Sequence, residues 1–327
     1  MKKVLGMGNA LVDILVRISD DKWLDQFDLP KGSMQLVDKE KSIQLMQALS
    51  QFHYEIASGG SAANTINGLA NLDVPCGYIG KINDDKFGDT FKADMTQKGI
   101  DAILFRGVQD TGIATTLISP DSQRTFATFL GAAVELLPED LKEDFFKGYD
   151  FFHIEGYLVQ NHALIENAVR MAKKHGLKVS LDMASYNVVE GNIDFLTSLV
   201  QEYVDIVFAN EEEAKAFTGS DPEVALNRIA EMCEIAVVKI GAKGSMVKTL
   251  SETVVCQAIP ATLIDTTGAG DLYASGFLYG LSHDLSLDQC ARLGSLLAGN
   301  VIEVVGPKMD EVRWSKIKSG VMEILAF

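Results

Sequence analysis

Residues 265–277 read Asp-Thr-Thr-Gly-Ala-Gly-Asp-Leu-Tyr-Ala-Ser-Gly-Phe, or DTTGAGDLYASGF. Before this stretch, short apolar runs alternate with segments of helical period; after it, the pattern is helical over 268–281, 286–304 and roughly 309–325. At this change of regime the chain sets Gly268, Ala269 and Gly270 beside a single carboxylate, Asp271. Glycine weakens a helix by about 1 kcal/mol relative to alanine, so these positions serve something besides local stability. Thr266 or Thr267 can cap a helix beginning near Gly268. The N–H groups of 268–271 then have no intrahelical partner and lie at the positive end of the helix. Side chains this small let a phosphate approach those groups closely. An aspartate that only capped the helix would repel such a phosphate. As a base, it would take the proton of a hydroxyl attacking it. A capped helix start packed tightly on a sheet also accounts for these residues, without chemistry.

Working outward, VLGMG, CGYIGKI, YDFFHIE, LKVSLDMA, VDIVFAN and IAVVKIG read as strands. HALIENAVRMAKKHG and VALNRIAEM read as amphipathic helices, the first closing at His175-Gly176. Such alternation predicts a mostly parallel sheet flanked by helices. Two stretches fit poorly: 15–37 and 103–130 carry short alternating strands rich in Thr, Ile and Phe. They are expected to form one small β lid inserted into a large α/β domain made of 1–14, 38–102 and 131–327. Ordinary edge hairpins are the alternative.

The chain has 327 residues, 47% hydrophobic, with 29 basic against 45 acidic residues and a formal charge of −16. That balance disfavours nucleic acid and anionic membrane surfaces as partners, so any anionic ligand must be held by local devices. Four cysteines without CxxC spacing point to no zinc site or disulfide framework, and to a cytoplasmic setting. The opening MKKVLGMGNALVDILV is broken by Gly6, Gly8, Asn9 and Asp13 and reads as a buried strand rather than a signal peptide. No apolar run reaches the ~18 residues of a membrane span.

Open parallel sheets bind ligands beyond the carboxyl ends of their strands. After the first strand, G6-x-G8 lacks the third glycine of a dinucleotide fingerprint, and Gly80-Lys81 is followed by Ile82 rather than the Ser or Thr of a P-loop. In ASGGSAANTINGLA (57–70), Gly59 and Gly60 precede a helix start that carries Asn64, an arrangement suited to sugar hydroxyls and equally to a plain turn. Asp13 can accept two hydroxyl hydrogen bonds or serve a structural role. Asn210 and Glu213 share one helix face, fit to hold Mg²⁺ through water. Gly241 and Gly244 form a tight turn past which a base or ribose can slide.

Taken together these stretches resemble the PfkB, or ribokinase-like, family of sugar and nucleoside kinases. The carriers are GGSAANTINGLANLDVPCGYIGKINDDKFG at 59–88, N-x-x-E at 210–213, G-x-x-G at 241–244 and DTTGAGDLYASGF. GNALVDI at 8–14, KGSMQLVD at 31–38 and SPDSQRTFATFLGA at 119–132 are most similar to the adenosine-kinase branch. The resemblance implies a ribokinase-like fold with a small β lid, and transfer of the γ-phosphoryl of Mg-ATP to a primary hydroxyl, the adenosine 5′-hydroxyl in that branch. It implies Asp271 as base, with Gly268, Ala269 and Gly270 as anion hole. Asp13, Gly59, Gly60 and Asn64 would bind ribose; Asn210, Glu213, Lys239, Gly241 and Gly244 would serve Mg-ATP. Arg124 matches an arginine that reaches the phosphates, and Asp265 and Thr267 match positions near a monovalent-cation (K⁺) site. Lys239 stands where ribokinases usually carry a threonine touching the nucleotide. A kinase of ribose or a ketose, or a binding regulator on this fold, are the alternatives; a monomer or homodimer is expected.

Overall fold

Val4 and Leu5, neighbours in the first strand, bury their side chains in two different cores. The same split recurs at Phe151 and Phe152, and at Val237 and Val238. Successive side chains of a strand point to opposite faces, so these uninterrupted apolar runs describe a sheet covered on both sides. A computed structural model of the chain describes residues 1–121 and 123–326.

Among the described residues the large sheet has nine strands. In spatial order these are Thr253–Cys256, Ser245–Lys248, Ile235–Lys239, Ile206–Asn210, Lys178–Asp182, Phe151–Glu155, Val4–Met7, Cys76–Ile82 and Asp101–Arg106. Ser245–Lys248 runs antiparallel to both its neighbours, Ile235–Lys239 and Thr253–Cys256; the other pairings are parallel. From Val4–Met7 the chain proceeds outward to one side through Cys76–Ile82, then to the other from Phe151–Glu155 onward. This reversal of strand order opens a crevice at the carboxyl ends. The expected strands and the three closing helices, Ala269–Ser282, Leu287–Val301 and Glu311–Leu325, all form. This is a ribokinase-like α/β fold.

A second, five-stranded sheet runs in the order Met34–Leu36, Arg124–Phe129, Gly112–Ile118, Leu11–Arg17 and Tyr54–Gly59. Its membership corrects the expected segments 15–37 and 103–130 at three places. One strand begins at Leu11 rather than 15, and Tyr54–Gly59, assigned to the large domain, pairs antiparallel with it. Asp101–Arg106, half assigned to the lid, is instead the parallel neighbour of Cys76–Ile82. The alternating pattern identified strands but could not say which sheet each joined, because pairing is decided by contacts distant in sequence. None of the described helices is long and apolar enough to cross a membrane.

Helices Ser61–Asn71 and Ala269–Ser282 lie against each other at Gly68, where an added Cβ would run into the Ser275 hydroxyl and stand 2.9 Å from Leu272. Both helices enter the cleft described below, so their spacing fixes its floor. Gly68→Val should therefore overpack this contact at a cost of roughly 1–3 kcal/mol and lower the thermal midpoint by a few degrees. Ser275→Gly in the same chain should restore part of the loss. An unchanged midpoint in Gly68→Val, read by calorimetry, would refute the close approach.

Candidate active site

Glu155, Asp182, Asn210 and Lys239 are each the last residue of a parallel strand. Together with Asn9, just beyond the first strand, they line the wall of a cleft of about 1420 Å³. Asp13, Gly60 and Asn64 line it from one side; Gly241 and Gly244, and Thr267 through Asp271, from others. The fold thus gathers most of the expected residues around one space.

Helix Ala269–Ser282 starts with Gly268 in the left-handed region, φ 77°, and no side chain caps it. The expected threonine cap is absent: Thr266 contributes its backbone carbonyl to Ala269 N–H at 3.1 Å, and Thr267 turns toward Arg124. The first turn therefore meets the cleft with bare backbone, as anion binding requires. Asp271 accepts hydrogen bonds from Ser61 Oγ at 2.7 Å and Asn64 Nδ2 at 2.9 Å. Thr65 Oγ1 donates to the Asp271 carbonyl at 3.1 Å. Loss of water pushes the Asp271 carboxyl up to about 6, with those two side-chain hydrogen bonds pulling against it.

Gly59 does not line the cleft. A Cβ there would run into the Asp13 carboxylate, so Gly59 makes room for Asp13 across the strand pair Leu11–Arg17 and Tyr54–Gly59. Burial pushes Asp13 up to about 7; Lys308 opposes this and Asp271 adds to it. Lys308 donates to Ser58 at 2.8 Å and Asp94 at 3.1 Å. Gly60, φ 97°, opens helix Ser61–Asn71, which no side chain caps from within its own segment. Glu155 takes that duty from the neighbouring strand: it accepts from Ala62 N–H at 2.9 Å, and from Asn9 N–H at 2.9 Å and Nδ2 at 2.7 Å. Burial lifts Glu155 to about 7 against those three donors.

Asn210 and Glu213 form a reciprocal capping box: Asn210 Oδ1 accepts from Glu213 N–H, and both Glu213 oxygens accept from Asn210. Burial raises Glu213 to about 7, Lys239 working against it. Among the described residues no cluster of His, Cys, Asp or Glu suits direct metal ligation. The pair fits a hydrated cation held chiefly by phosphates, since a carboxylate oxygen keeps a lone pair for a water.

Arg124 and Asp265 lie outside the main cleft, in an adjoining crevice of about 680 Å³ that shares Thr267 with it. Arg124 ion-pairs with Asp265 and donates to Thr267 Oγ1 at 3.4 Å. Burial lowers the Arg124 pKa to about 10. Asp265 also accepts from the N–H groups of Thr267, at 2.8 Å, and Gly306. Its carboxylate is therefore shared between Arg124 and these two N–H groups.

Sequence reading missed Glu155, Asp182, Ser61 and Lys308. The first two carried a usable signal, since Glu155 closes the run YDFFHIE and Asp182 falls near the end of LKVSLDMA, both read as strands. Ser61 and Lys308 matter through partners more than 200 residues away, for which the sequence holds no local sign.

The pfkB family carbohydrate kinase pattern matches residues 32–312. The chain belongs to that family. A probable sugar kinase from Rhizobium etli is 36% identical, with a TM-score of 0.89 over 98% of this chain and 99% of its own. The adenosine kinase from Sinorhizobium meliloti is 35% identical, with a TM-score of 0.88 over the same shares. Among curated relatives, the adenosine kinase of Schizophyllum commune is 26% identical over 97% of this chain and 98% of its own length. The ribokinase of Haemophilus influenzae is 28% identical over 77% and 83%. The protein is accordingly an ATP-dependent kinase of sugars or nucleosides.

Asp13, Glu155 and Glu213 each take up a proton near pH 7 in the folded protein, whereas unfolded carboxyls do so near pH 4. Between those values the folded state binds more protons, so its stability grows as pH falls through 7 and is lost as pH rises. Buried His153, lowered to about 4, opposes this below about 6.5. One group does not outweigh three. The ligand-free protein should melt a few degrees higher at pH 6 than at pH 8; a midpoint that rises with pH would contradict the geometry of the site.

Proposed function

We propose that the protein phosphorylates the 5′-hydroxyl of adenosine or a closely similar nucleoside, with ATP and Mg²⁺, in the cytoplasm. The observation that carries this reading is the roof of the cleft. Met34, Leu36 and Phe126, all on the second sheet, line it together with Leu11 and Leu130. Met34 and Leu36 are 41% and 55% exposed on an edge strand, so they present apolar surface that a flat base would cover. Trp23 and Phe27, whose aromatic surface also suits a base, instead pack with the core that runs under the second sheet into the large domain, Trp23 against Phe52, and Phe129 is buried. A free sugar would leave Met34 and Leu36 wet. The full-length likeness to adenosine kinases supports the same substrate.

In this reading Asp13 and Asn64 hold the ribose, Gly60 borders it, and Gly59 acts only by making room for Asp13. Asp271 accepts the proton of the attacking hydroxyl, and Gly268, Ala269 and Gly270 receive the phosphoryl group on their backbone. Asn210 and Glu213 would hold a hydrated Mg²⁺, which would supply positive charge to the phosphates. Gly241 and Gly244 bound the nucleotide. The Arg124–Asp265 pair links the second sheet to the start of the 265–271 turn, so closure of a lid would be felt at the anion hole. The four free cysteines accord with a reducing compartment.

Asp271→Asn removes the proton acceptor and little volume. It should lower kcat by about 10²–10⁴-fold while calorimetric binding of ATP and acceptor changes little; turnover within tenfold of the parent would end the assignment.

Covering a base by stacking and burial is worth roughly 1–3 kcal/mol, a tenfold to hundredfold preference. Adenosine should therefore exceed ribose and 5-dehydro-2-deoxygluconate in kcat/KM by at least tenfold, in direct competition with products resolved by mass. The last acceptor is included because a Listeria monocytogenes 5-dehydro-2-deoxygluconokinase is 31% identical over 78% of this chain. A sugar that wins would transfer the assignment to the sugar kinases.

A further inference from the structure

Seven carboxylates line the cleft: Asp13, Glu155, Asp182, Glu211, Glu212, Glu213 and Asp271. Among the described residues lining it, Lys239 is the sole cation. A nucleoside triphosphate brings several more negative charges into this space, which makes the position of one ammonium decisive.

That position is well defined. Lys239 closes its strand, and its Nζ reaches past the end of Ile206–Asn210 to Asp182 Oδ2 at 3.0 Å. The ammonium also lies against the backbone of the small-residue turn: a Cβ on Gly270 would stand 3.0 Å from Nζ. Gly270 thus leaves open a space that the ammonium borders on one side and the bare helix start on the other. The side chain is largely withdrawn from solvent, where a charge acts over a low dielectric and costs no reorganisation at the moment of reaction. Burial alone would favour loss of its proton, but Asp182 and Glu213 outweigh this and hold its pKa above the ordinary lysine value.

We propose that Lys239 is a catalytic residue of the phosphoryl transfer, its ammonium set by Asp182 against the phosphate oxygens that pass over Gly270. The proposal rests on the kinase reading with Asp271 as base. In the step, the acceptor oxygen bonds to the γ-phosphorus and its proton goes to Asp271. The bond from that phosphorus to the β–γ bridging oxygen breaks, and its electron pair leaves on ADP. Lys239 gains and loses no proton; it offsets the charge that builds on the phosphoryl and leaving oxygens. Asp182 touches neither reactant and is a positioning residue.

The test compares the full-length protein with Lys239→Met and with the double variant Lys239→Met/Asp182→Asn, which removes both charges of the ion pair and so does not leave Asp182 ionised without its partner. Steady-state kinetics with ATP and the preferred acceptor should show kcat lower by about 10²–10³-fold in both variants, with KM for ATP changed only a few-fold. Calorimetry supplies a readout apart from turnover. ADP with aluminium fluoride and acceptor should bind the parent more tightly than ADP alone, and Lys239→Met should lose most of that gain while binding ADP alone as before. If the double variant regains turnover to within tenfold of the parent, the lysine only neutralises Asp182 and the proposal falls. Unchanged aluminium-fluoride binding in Lys239→Met would overturn it as well. A parent protein that phosphorylates no acceptor at all would instead overturn the kinase reading beneath it.

Discussion

The hydrogen bonds from Ser61 and Asn64 to Asp271 join two helices that are remote in sequence and meet nowhere else so consequentially. In the proposed reaction one helix begins the acceptor side of the cleft, the other the phosphate side. Because both open with small residues, their N-termini can converge, and because Gly68 faces Ser275, their axes can stay close below. The carboxylate is thereby held where a hydroxyl on one side and a phosphoryl group on the other would meet. Positioning of this kind supplies much of the effect in phosphoryl transfer, which asks for little covalent chemistry from the protein.

The second constraint is charge. A chain of formal charge −16 has no general attraction for a polyanion, and the cleft concentrates that difficulty rather than relieving it. Its answers are local: bare N–H groups at a helix start, one ammonium, and carboxyls partly protonated near neutrality. Burial, the largest cause of the shifts at Asp13, Glu155, Glu213 and Asp271, means that an acid placed deep enough gives up part of its charge. The adjoining Arg124 spends its own charge on Asp265, which explains why a second cation does not line the main cleft.

Much of this was legible in the sequence because it depends on short-range pattern. The parallel strands announced themselves as apolar runs, and the small-residue turn with Asp271 stood out because glycine at a helix start needs a reason. What stayed hidden depends on long-range pairing. Tyr54–Gly59 is not among the runs that read as strands, and only its pairing with Leu11–Arg17 makes it one and places it in the second sheet. Gly59 resembled a ligand-facing glycine; the carboxylate of Asp13, diagonal to it across the pair, is what requires it. Thr267 looked like a cap from its spacing, yet Arg124, more than 140 residues earlier, claims its hydroxyl.

Glu155 shows how far such coupling goes. Helix Ser61–Asn71 starts at Gly60, which offers no oxygen to cap it, and an ordinary Ser or Asp there would collide with the Asn9 carbonyl because the position demands a positive φ and an open side. The cap must therefore come from elsewhere. Glu155, at the end of the adjacent parallel strand, provides it and binds Asn9 with the same carboxylate. Three loops at the switch point are thus fixed by one side chain. In its ionised form the carboxylate only accepts, and the three groups that converge on it only donate, which works against the pull of burial toward the protonated form. An amide in its place would have to turn an N–H toward one of them, so the acid is kept despite the cost of burying it.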